Sequence, residues 1–358
     1  VKVALAGLPL CGKTCVFDAL TGGSVGSASN PARADHPNAA TVALPDERLD
    51  WLSEHYRTQK RTPVHMELID IPGLNPGRAD MATQNTAIVE VWRRADVLLH
   101  VLRAFESSRV PGRVDPPADR DVLRGEFLLS DLDTILRRTE KLEKQITKPV
   151  PDREAMKREL EFLARCREAL EAEKPLSDVV RTETERTILR GFSALTQKPA
   201  LAVLNVGEDD AGDPDAVAAK FPALHPPLVA MCASLEAEIS QLAADERGTF
   251  MQEMGLSRLH ADHLLRDLYA AVGRITYFTA GEKEVAARSI RRGETAVEAA
   301  EEVHTDIARG FIRAEVVAYD DFRRTGSLKD ARLQGAYKLE GRDYVVRDGD
   351  IILFHFTR

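Results

Sequence analysis

Eight residues near the start of the sequence, Gly7-Leu8-Pro9-Leu10-Cys11-Gly12-Lys13-Thr14, have the types and spacing of a loop that wraps phosphate, G-x-x-x-x-G-K-[ST]. Gly7 and Gly12 let the backbone curl so that successive N–H groups point inward at phosphate oxygens. A following helix adds the partial positive charge of its N-terminus at the same place. Lys13 can reach the β- and γ-phosphates and carry transition-state charge, and the Thr14 hydroxyl can ligate Mg²⁺. Leu8, Pro9, Leu10, Cys11, Gly12 and Cys15 complete the contact surface. Farther along, Asp70-Ile71-Pro72-Gly73 offers a carboxylate that can hold Mg²⁺ through water and a Gly73 amide that can meet the γ-phosphate. Asn205-Val206-Gly207-Glu208 ends another apolar run, and Met231 and Ser234 stand at and just past the end of a further one. Each motif has a plainer reading, since glycine turns are common and an Asp-turn-Gly ends many strands. What weighs against it is that each one stands at the end of an apolar run.

Those runs are the elements that must position the chemistry. Val1 to Ala6 is short and apolar, as a buried strand should be. Cys15 to Leu20 continues as a helix with Val16, Phe17 and Leu20 on one side, and Gly22-Gly23 stops it. Gly23 to Pro37 reads as a loop over the phosphate site. Further strands are expected at Thr41–Leu44, Val64–Ile69, Asp96–Leu102, Ala200–Leu204 and Pro227–Met231, with a helix at Glu47–Tyr56. Apolar strands separated by helical stretches imply a parallel, doubly wound sheet with ligands at the strands' carboxyl ends. Between the Asp96 and Ala200 strands the composition changes. Leu128, Leu132, Ile135, Thr139, Leu142 and Ile146 form a heptad seam, and Met156, Leu160, Leu163, Arg167 and Leu170 repeat the spacing after Pro149-Val150-Pro151. The pattern predicts an antiparallel coiled-coil hairpin. From about Ile275 short β-like runs surround a helix capped by Thr295 and Glu298, a small α+β module with its own core.

With 358 residues, two or three domains are expected. No run approaches the ~18 apolar residues of a membrane span. The four cysteines, Cys11, Cys15, Cys166 and Cys232, form no C-x-x-C pair, which fits a reduced cytosol. A net charge of −8 argues against wholesale electrostatic coating of nucleic acid. Local basic groups remain, at Arg291-Arg292, Arg309, Arg313 and Arg323-Arg324.

Taken together, GLPLCGKT, PDERLDWL, DIPGL, HVLRAFE, NVGE and FTAGEKEV resemble the Obg-like ATPases, the YchF group of translation-factor-related P-loop NTPases. AVEAAEEVHTDIARGFIRAEV and LEGRDYVVRDGDIILFHF resemble the TGS-type module that ends these proteins. The resemblance spans essentially the whole chain. It implies an α/β fold, with a nucleotide domain at 1–125 and 198–274, a helical coiled-coil insertion at 126–197 and a TGS-like domain at 275–358. It also implies ATP or GTP as substrate, Mg²⁺, a ribosome or RNA partner, no membrane, a monomer and a cytoplasmic location. Guanine readers carry N-K-x-D, and here Val206 and Glu208 replace the lysine and the aspartate, so ATP is expected over GTP.

Several departures bear on turnover. The family has Asn at the place of Leu10, where it helps hold a monovalent cation, so the K⁺ that the family implies loses a ligand. Ala34 stands where a switch threonine is expected, leaving Asp35 or Thr41 as imperfect substitutes. Leu74 stands where Ras-like enzymes place Gln. The family compensates with a His in the loop after the Phe105-Glu106 run, and here Arg109 lies near that place. Two readings follow: a slow ATPase in which Arg109 stabilises transition-state charge, or a nucleotide-dependent binding protein with little or no hydrolysis.

Overall fold

The computed structural model describes residues 1–23, 36–108, 113–148, 152–222, 224, 228–256 and 258–357. Ala34, Asp35, Arg109 and the Pro149–Pro151 turn therefore lie outside the described residues, as does most of the loop read over the phosphate site. In chain order the strands are β1 (Lys2–Ala6), β2 (Asn38–Ala43), β3 (Lys60–Thr62), β4 (His65–Asp70), β5 (Val97–Ala104), β6 (Ala200–Val206) and β7 (Leu228–Met231). They continue with β8 (Arg274–Ala280), β9 (Glu284–Arg291), β10 (Phe311–Ala318), β11 (Tyr337–Glu340) and β12 (Asp350–Phe356). The helices used below are α1 (Lys13–Thr21), α2 (Glu47–Tyr56), α3 (Ala82–Arg94), α4 (Pro116–Ile146), α5 (Arg153–Glu171) and α6 (Glu183–Phe192).

One sheet has the order β2-β4-β1-β5-β6-β7. β1 runs parallel to β4 and β5, β5 to β6, and β6 to β7. Val3 to Ala6 and Val97 to Leu102 are buried, because a parallel sheet covered on both faces admits almost only apolar residues. From β1 the chain builds first on one side of the sheet and then, through β5, on the other. That reversal opens a crevice at the carboxyl ends of β1 and β5, and Gly7 to Thr14 emerges there. The doubly wound α/β arrangement expected from the apolar runs is present.

The chain divides into two compact units, Val1–Ala40 with Glu67–Ala261, and Thr41–Met66 with Asp262–Arg358. This division differs from the composition boundaries, because residues 41–66 group with the C-terminal segment. Within that second unit β3 pairs parallel with β9 at the edge of the order β11-β10-β12-β8-β9-β3. α2 starts at Asp46, whose side chain accepts from the Arg48 amide, and Arg48 reaches Asp348 at 2.6 Å. The Thr295/Glu298 capping box forms, and Tyr277 donates to the Ala299 carbonyl at 2.6 Å.

In the first unit, Asp115 caps α4 by accepting from the Ala118 amide, with prolines in the opening turn. α4 and α5 pack around Ile135, Leu142, Phe162, Leu163, Cys166 and Leu170. The expected seam is only partly right. Arg167 is exposed and pairs with Glu171 at 3.5 Å, while Phe162 and Cys166 take the inner places. The reason is a third helix: Ile188, Leu189 and Phe192 of α6 join the cluster and widen the buried face beyond a two-helix stripe. Thr139 is tolerated because its hydroxyl donates to the Ile135 carbonyl at 2.9 Å.

Asp131 fixes this insertion to the sheet. It is 2% exposed, accepts from the Leu195 amide at 3.0 Å and the Thr196 amide at 2.9 Å, and pairs with Arg93 of α3 at 3.0 Å. The same guanidinium donates to Ser130 Oγ at 2.8 Å and Thr134 Oγ1 at 3.0 Å. Removing one partner of such a buried pair leaves a charge and several amides unsatisfied. Asp131→Ala is therefore expected to cost about 3–5 kcal/mol in urea unfolding. A loss under about 1 kcal/mol, the range of exposed ion pairs, would contradict that role.

Candidate functional site

Gly12 carries a φ of +92°, and a Cβ there would collide with Asn205 Nδ2, so the loop accepts only glycine at that point. Asn205 in turn holds three segments together. Its Nδ2 donates to the Cys11 carbonyl at 3.1 Å, and its Oδ1 accepts from the Ala233 amide at 3.1 Å. The end of β6, the phosphate loop and the start of the Ala233–Gln241 helix are thereby fixed to one another. Gly73 comes equally close on the other side: a Cβ would sit 2.5 Å from Pro9 Cα and 2.7 Å from Leu8 C. The Leu74 amide donates to the Gly7 carbonyl at 3.2 Å. The Asp70–Gly73 turn is thus laid directly against the loop.

Inside the loop Lys13 is 6% exposed, and its ammonium donates to the Leu8 carbonyl at 3.0 Å and the Gly7 carbonyl at 3.4 Å. Thr14 Oγ1 donates to Asp70 Oδ2 at 3.0 Å. Asp70 is 1% exposed, and its Oδ1 has no hydrogen-bond partner. Burial raises the Asp70 pKa, opposed by the Thr14 hydrogen bond and the Lys13 charge. A buried carboxylate oxygen without a partner, beside a hydroxyl, suits a hard divalent cation. Among the described residues no group of three or more His, Cys, Asp or Glu could hold a metal by itself. Mg²⁺ is commonly held by one or two carboxylates together with substrate phosphates.

Beside the loop lies a cavity of about 620 Å³ whose lining includes Gly12, Cys15, Asn205, Val206, Glu208 and Ser234, all singled out from sequence. Leu8, Pro9, Leu10, Lys13 and Thr14 lie outside its lining, in the phosphate loop itself. Met231 is fully buried opposite Asn205 in the β6–β7 register and does not line it. Leu10 is 60% exposed at a φ of +60°, a left-handed conformation in which Asn is easier than Leu. Burial pushes the Cys11 and Cys15 thiols up, so both are small packing residues at neutral pH.

Phe105, Phe221 and Lys220 also line the cavity and were not singled out for this role. Phe105 had a signal, since it directly follows the apolar β5; Phe221 and Lys220 had none. Leu74 is fully buried in the core beneath the sheet, among Ile71, Ile88 and Trp92. Of the C-terminal arginines, Arg324 is engaged by Asp321 at 2.8 Å and by Gln334 at 2.6 Å. Arg309 lies 3.9 Å from Asp306. Among the described residues no helix is long and apolar enough to cross a membrane.

Residues 2–145 match a family described as "50S ribosome-binding GTPase" (MMR_HSR1). Residues 274–357 match YchF-GTPase_C, described as "Protein of unknown function (DUF933)". The chain is 36% identical over 369 residues to the ribosome-binding ATPase YchF of Bacillus subtilis, covering 100% of this chain and 99% of that protein. It is 31% identical over 377 residues to Obg-like ATPase 1 of Caenorhabditis elegans, covering 100% and 92%. The solved structure of the Schizosaccharomyces pombe YchF GTPase superposes with a TM-score of 0.83 at 27% identity, covering 99% of this chain and 97% of that one. The loop, the metal-suited pair and these full-length likenesses agree: the chain belongs to the YchF group of Obg-like ATPases.

Proposed function

We propose that this protein binds ATP with Mg²⁺, hydrolyses it slowly, and uses the nucleotide state to govern binding to the ribosome. The observation that carries the reading is the Lys13–Thr14–Asp70 constellation, held by Gly12 and Asn205 at the carboxyl ends of β1 and β6. Backbone N–H groups of the loop and the Lys13 ammonium would cradle the β- and γ-phosphates. Mg²⁺ supplies charge neutralisation between those phosphates, with Thr14 and Asp70 as the residues that would hold it. Water attacks the γ-phosphorus, the bond to the β–γ bridging oxygen breaks, and ADP, phosphate and a proton leave. Lys13 steadies the charge on the leaving side. Arg109, outside the described residues, is our candidate for a second cation at the γ-phosphate.

The base would lie in the cavity beside Phe105 and Val206. Adenine is our preferred base, because Glu208 is one methylene longer than the aspartate of a guanine reader and Val206 lacks the lysine stem. Asn205 spends its Oδ1 and one donor on the protein, so its main contribution is to hold the pocket. The ribosome reading rests on the likeness to named ribosome-binding ATPases. The C-terminal sheet, as a TGS-type module, and α4 to α6 are the surfaces assigned to it. A nucleotide-controlled binding protein with little hydrolysis is the second reading. It is favoured by Leu74, which is buried in the core and has no group for holding water. Leu10 likewise offers no ligand for K⁺.

Five outcomes are expected. Lys13→Ala should weaken ATP by well over tenfold in calorimetry with the fold retained, since it removes a charge-assisted contact worth about 1.5–3 kcal/mol or more. Thr14→Ala should matter only when Mg²⁺ is present, and equal harm in EDTA would contradict the metal role. In competition against a fluorescent ATP analogue, ATP should displace better than GTP, with Val206→Lys plus Glu208→Asp shifting the balance toward GTP. Tighter displacement by GTP from the unaltered protein would reverse the assignment. Single-turnover hydrolysis without partners should run well below ~1 s⁻¹, the low end for kinases. Leu74→Ala should leave that rate within a few-fold while costing about 2–5 kcal/mol of stability. A brisk rate that collapses in Leu74→Ala would mean that this position does serve catalysis.

A further inference from the structure

A second cavity, of about 430 Å³, lies at the opposite ends of the central strands, bounded by the first residues of β5 and β6 and by α4. Its size falls within the range of small-molecule sites and far exceeds the share of one or two waters. Part of its wall is apolar, with Leu98, Phe127, Leu128 and Leu195. A buried histidine interrupts that apolar part of the lining. His100, 9% exposed in the middle of β5, lines the cavity with its ring 5.5 Å from that of Phe127. Both ring nitrogens are buried and neither has a hydrogen-bond partner. Burial pushes its pKa down to about 4, so the ring is neutral and presents one donor and one acceptor. Buried side-chain nitrogens are seldom left unmatched in native proteins.

The rest of the lining is strongly one-signed. Among the described lining residues, Arg120, Arg124, Lys174 and Lys198 contribute four cations against one carboxylate, Glu173. Arg124 lies 3.2 Å from Glu173, Arg120 is hydrogen-bonded to Asp121, and Lys198 donates to the Ala95 carbonyl at 2.6 Å. Counting lining side chains, the excess is three positive charges; setting Asp121 against Arg120 leaves two, which a phosphate dianion would balance. None of these residues lines the nucleotide cavity. His100 and Phe105 stand five residues apart on an extended stretch, about 17 Å at the usual rise.

We propose that this cavity is a second ligand site, taking a small phosphate monoester with a flat or aliphatic body. The body sits on Leu98, Phe127 and Leu195, a hydroxyl or amide of the ligand pairs with His100, and the phosphate lies among Arg120, Arg124, Lys174 and Lys198. Ligand and nucleotide bind at the same time, since they occupy opposite ends of β5 and β6.

The test uses 4-hydroxyphenyl phosphate as probe, followed by saturation-transfer NMR on the full chain with its nucleotide site filled by ADP and Mg²⁺. Binding should be saturable. Lys198→Met and His100→Phe should each weaken it about tenfold, the usual scale for a lost buried hydrogen bond or charge contact, with ADP affinity unchanged. Phenyl phosphate, which lacks the hydroxyl, should bind the unaltered protein more weakly than the probe. That advantage of the hydroxyl should vanish in His100→Phe. Should His100→Phe fail to fold, Leu128→Trp, which narrows the cavity from α4, must give the same loss of binding. Non-saturable binding, displacement by excess ADP, tighter binding of 4-hydroxybenzoate, or a hydroxyl advantage that survives in His100→Phe would each overturn the proposal.

Discussion

Everything at the nucleotide end of this fold depends on one carboxamide. Asn205 donates to the Cys11 carbonyl and accepts from the Ala233 amide, so a single buried side chain spans the phosphate loop, β6 and the next helix. Nothing bulkier than a hydrogen fits between it and the loop, which is why Gly12 must be glycine apart from any contact with phosphate. A buried amide of this kind is costly to leave half-satisfied and rigidifying when satisfied. Here its oxygen and one of its N–H groups are used, and the loop's shape is set before any ligand arrives. Preorganisation matters because the loop must present several N–H groups at once. Each one that had to be ordered on binding would cost conformational entropy.

The same logic explains how Asp70 meets Thr14. β4 and β1 are parallel neighbours in register, so their carboxyl ends fall side by side, and Gly73 lets the following turn press onto Pro9. Asp70 is left with one oxygen paired and one orphaned in a buried place, an arrangement that is unfavourable alone and favourable around a cation. Leu74 then turns into the core rather than toward the phosphates. The close approach that lays this turn against the loop therefore goes with a Leu74 side chain turned away from the phosphate loop. That side chain carries no group that could hold water.

Much of this was legible in the sequence, and for identifiable reasons. The phosphate loop, the Asp70 turn and the Asn205 turn each follow an apolar run, and a parallel sheet places the ends of such runs along one edge. The Thr295/Glu298 cap was legible because capping is local. What was not legible depends on contacts distant in sequence. Phe221 and Lys220 reach the nucleotide cavity from a segment with no motif. Arg167 was placed in a seam by heptad spacing, yet α6 adds a third helix whose packing moves the inner face toward Phe162 and Cys166. Residues 41–66 read as part of the nucleotide domain by position, although β3 within them pairs with β9, more than two hundred residues later. A three-residue edge strand, Lys60-Arg61-Thr62, carries no apolar alternation that could have announced it.

The insertion illustrates how charge can be buried without being wasted. Asp131 and Arg93 would each be expensive alone in the interior, but between them they satisfy two backbone amides, three carbonyls and three hydroxyls from α4 and the 192–196 turn. Because Arg93 and the groups it and Asp131 satisfy come from elements distant in sequence, the pair specifies one placement of α4 against α3 in a way that apolar packing alone would not. On the same side of the sheet, His100 is buried with neither nitrogen matched, close to four cationic side chains. The contrast is informative. Where this chain buries a polar group for architecture, as at Asp131 and Asn205, it supplies the partners from its own backbone and side chains. At Asp70 and His100 it supplies fewer partners than the groups can take, and both stand beside cavities or loops whose remaining chemistry, cationic at one and oxygen-rich at the other, is complementary to a ligand.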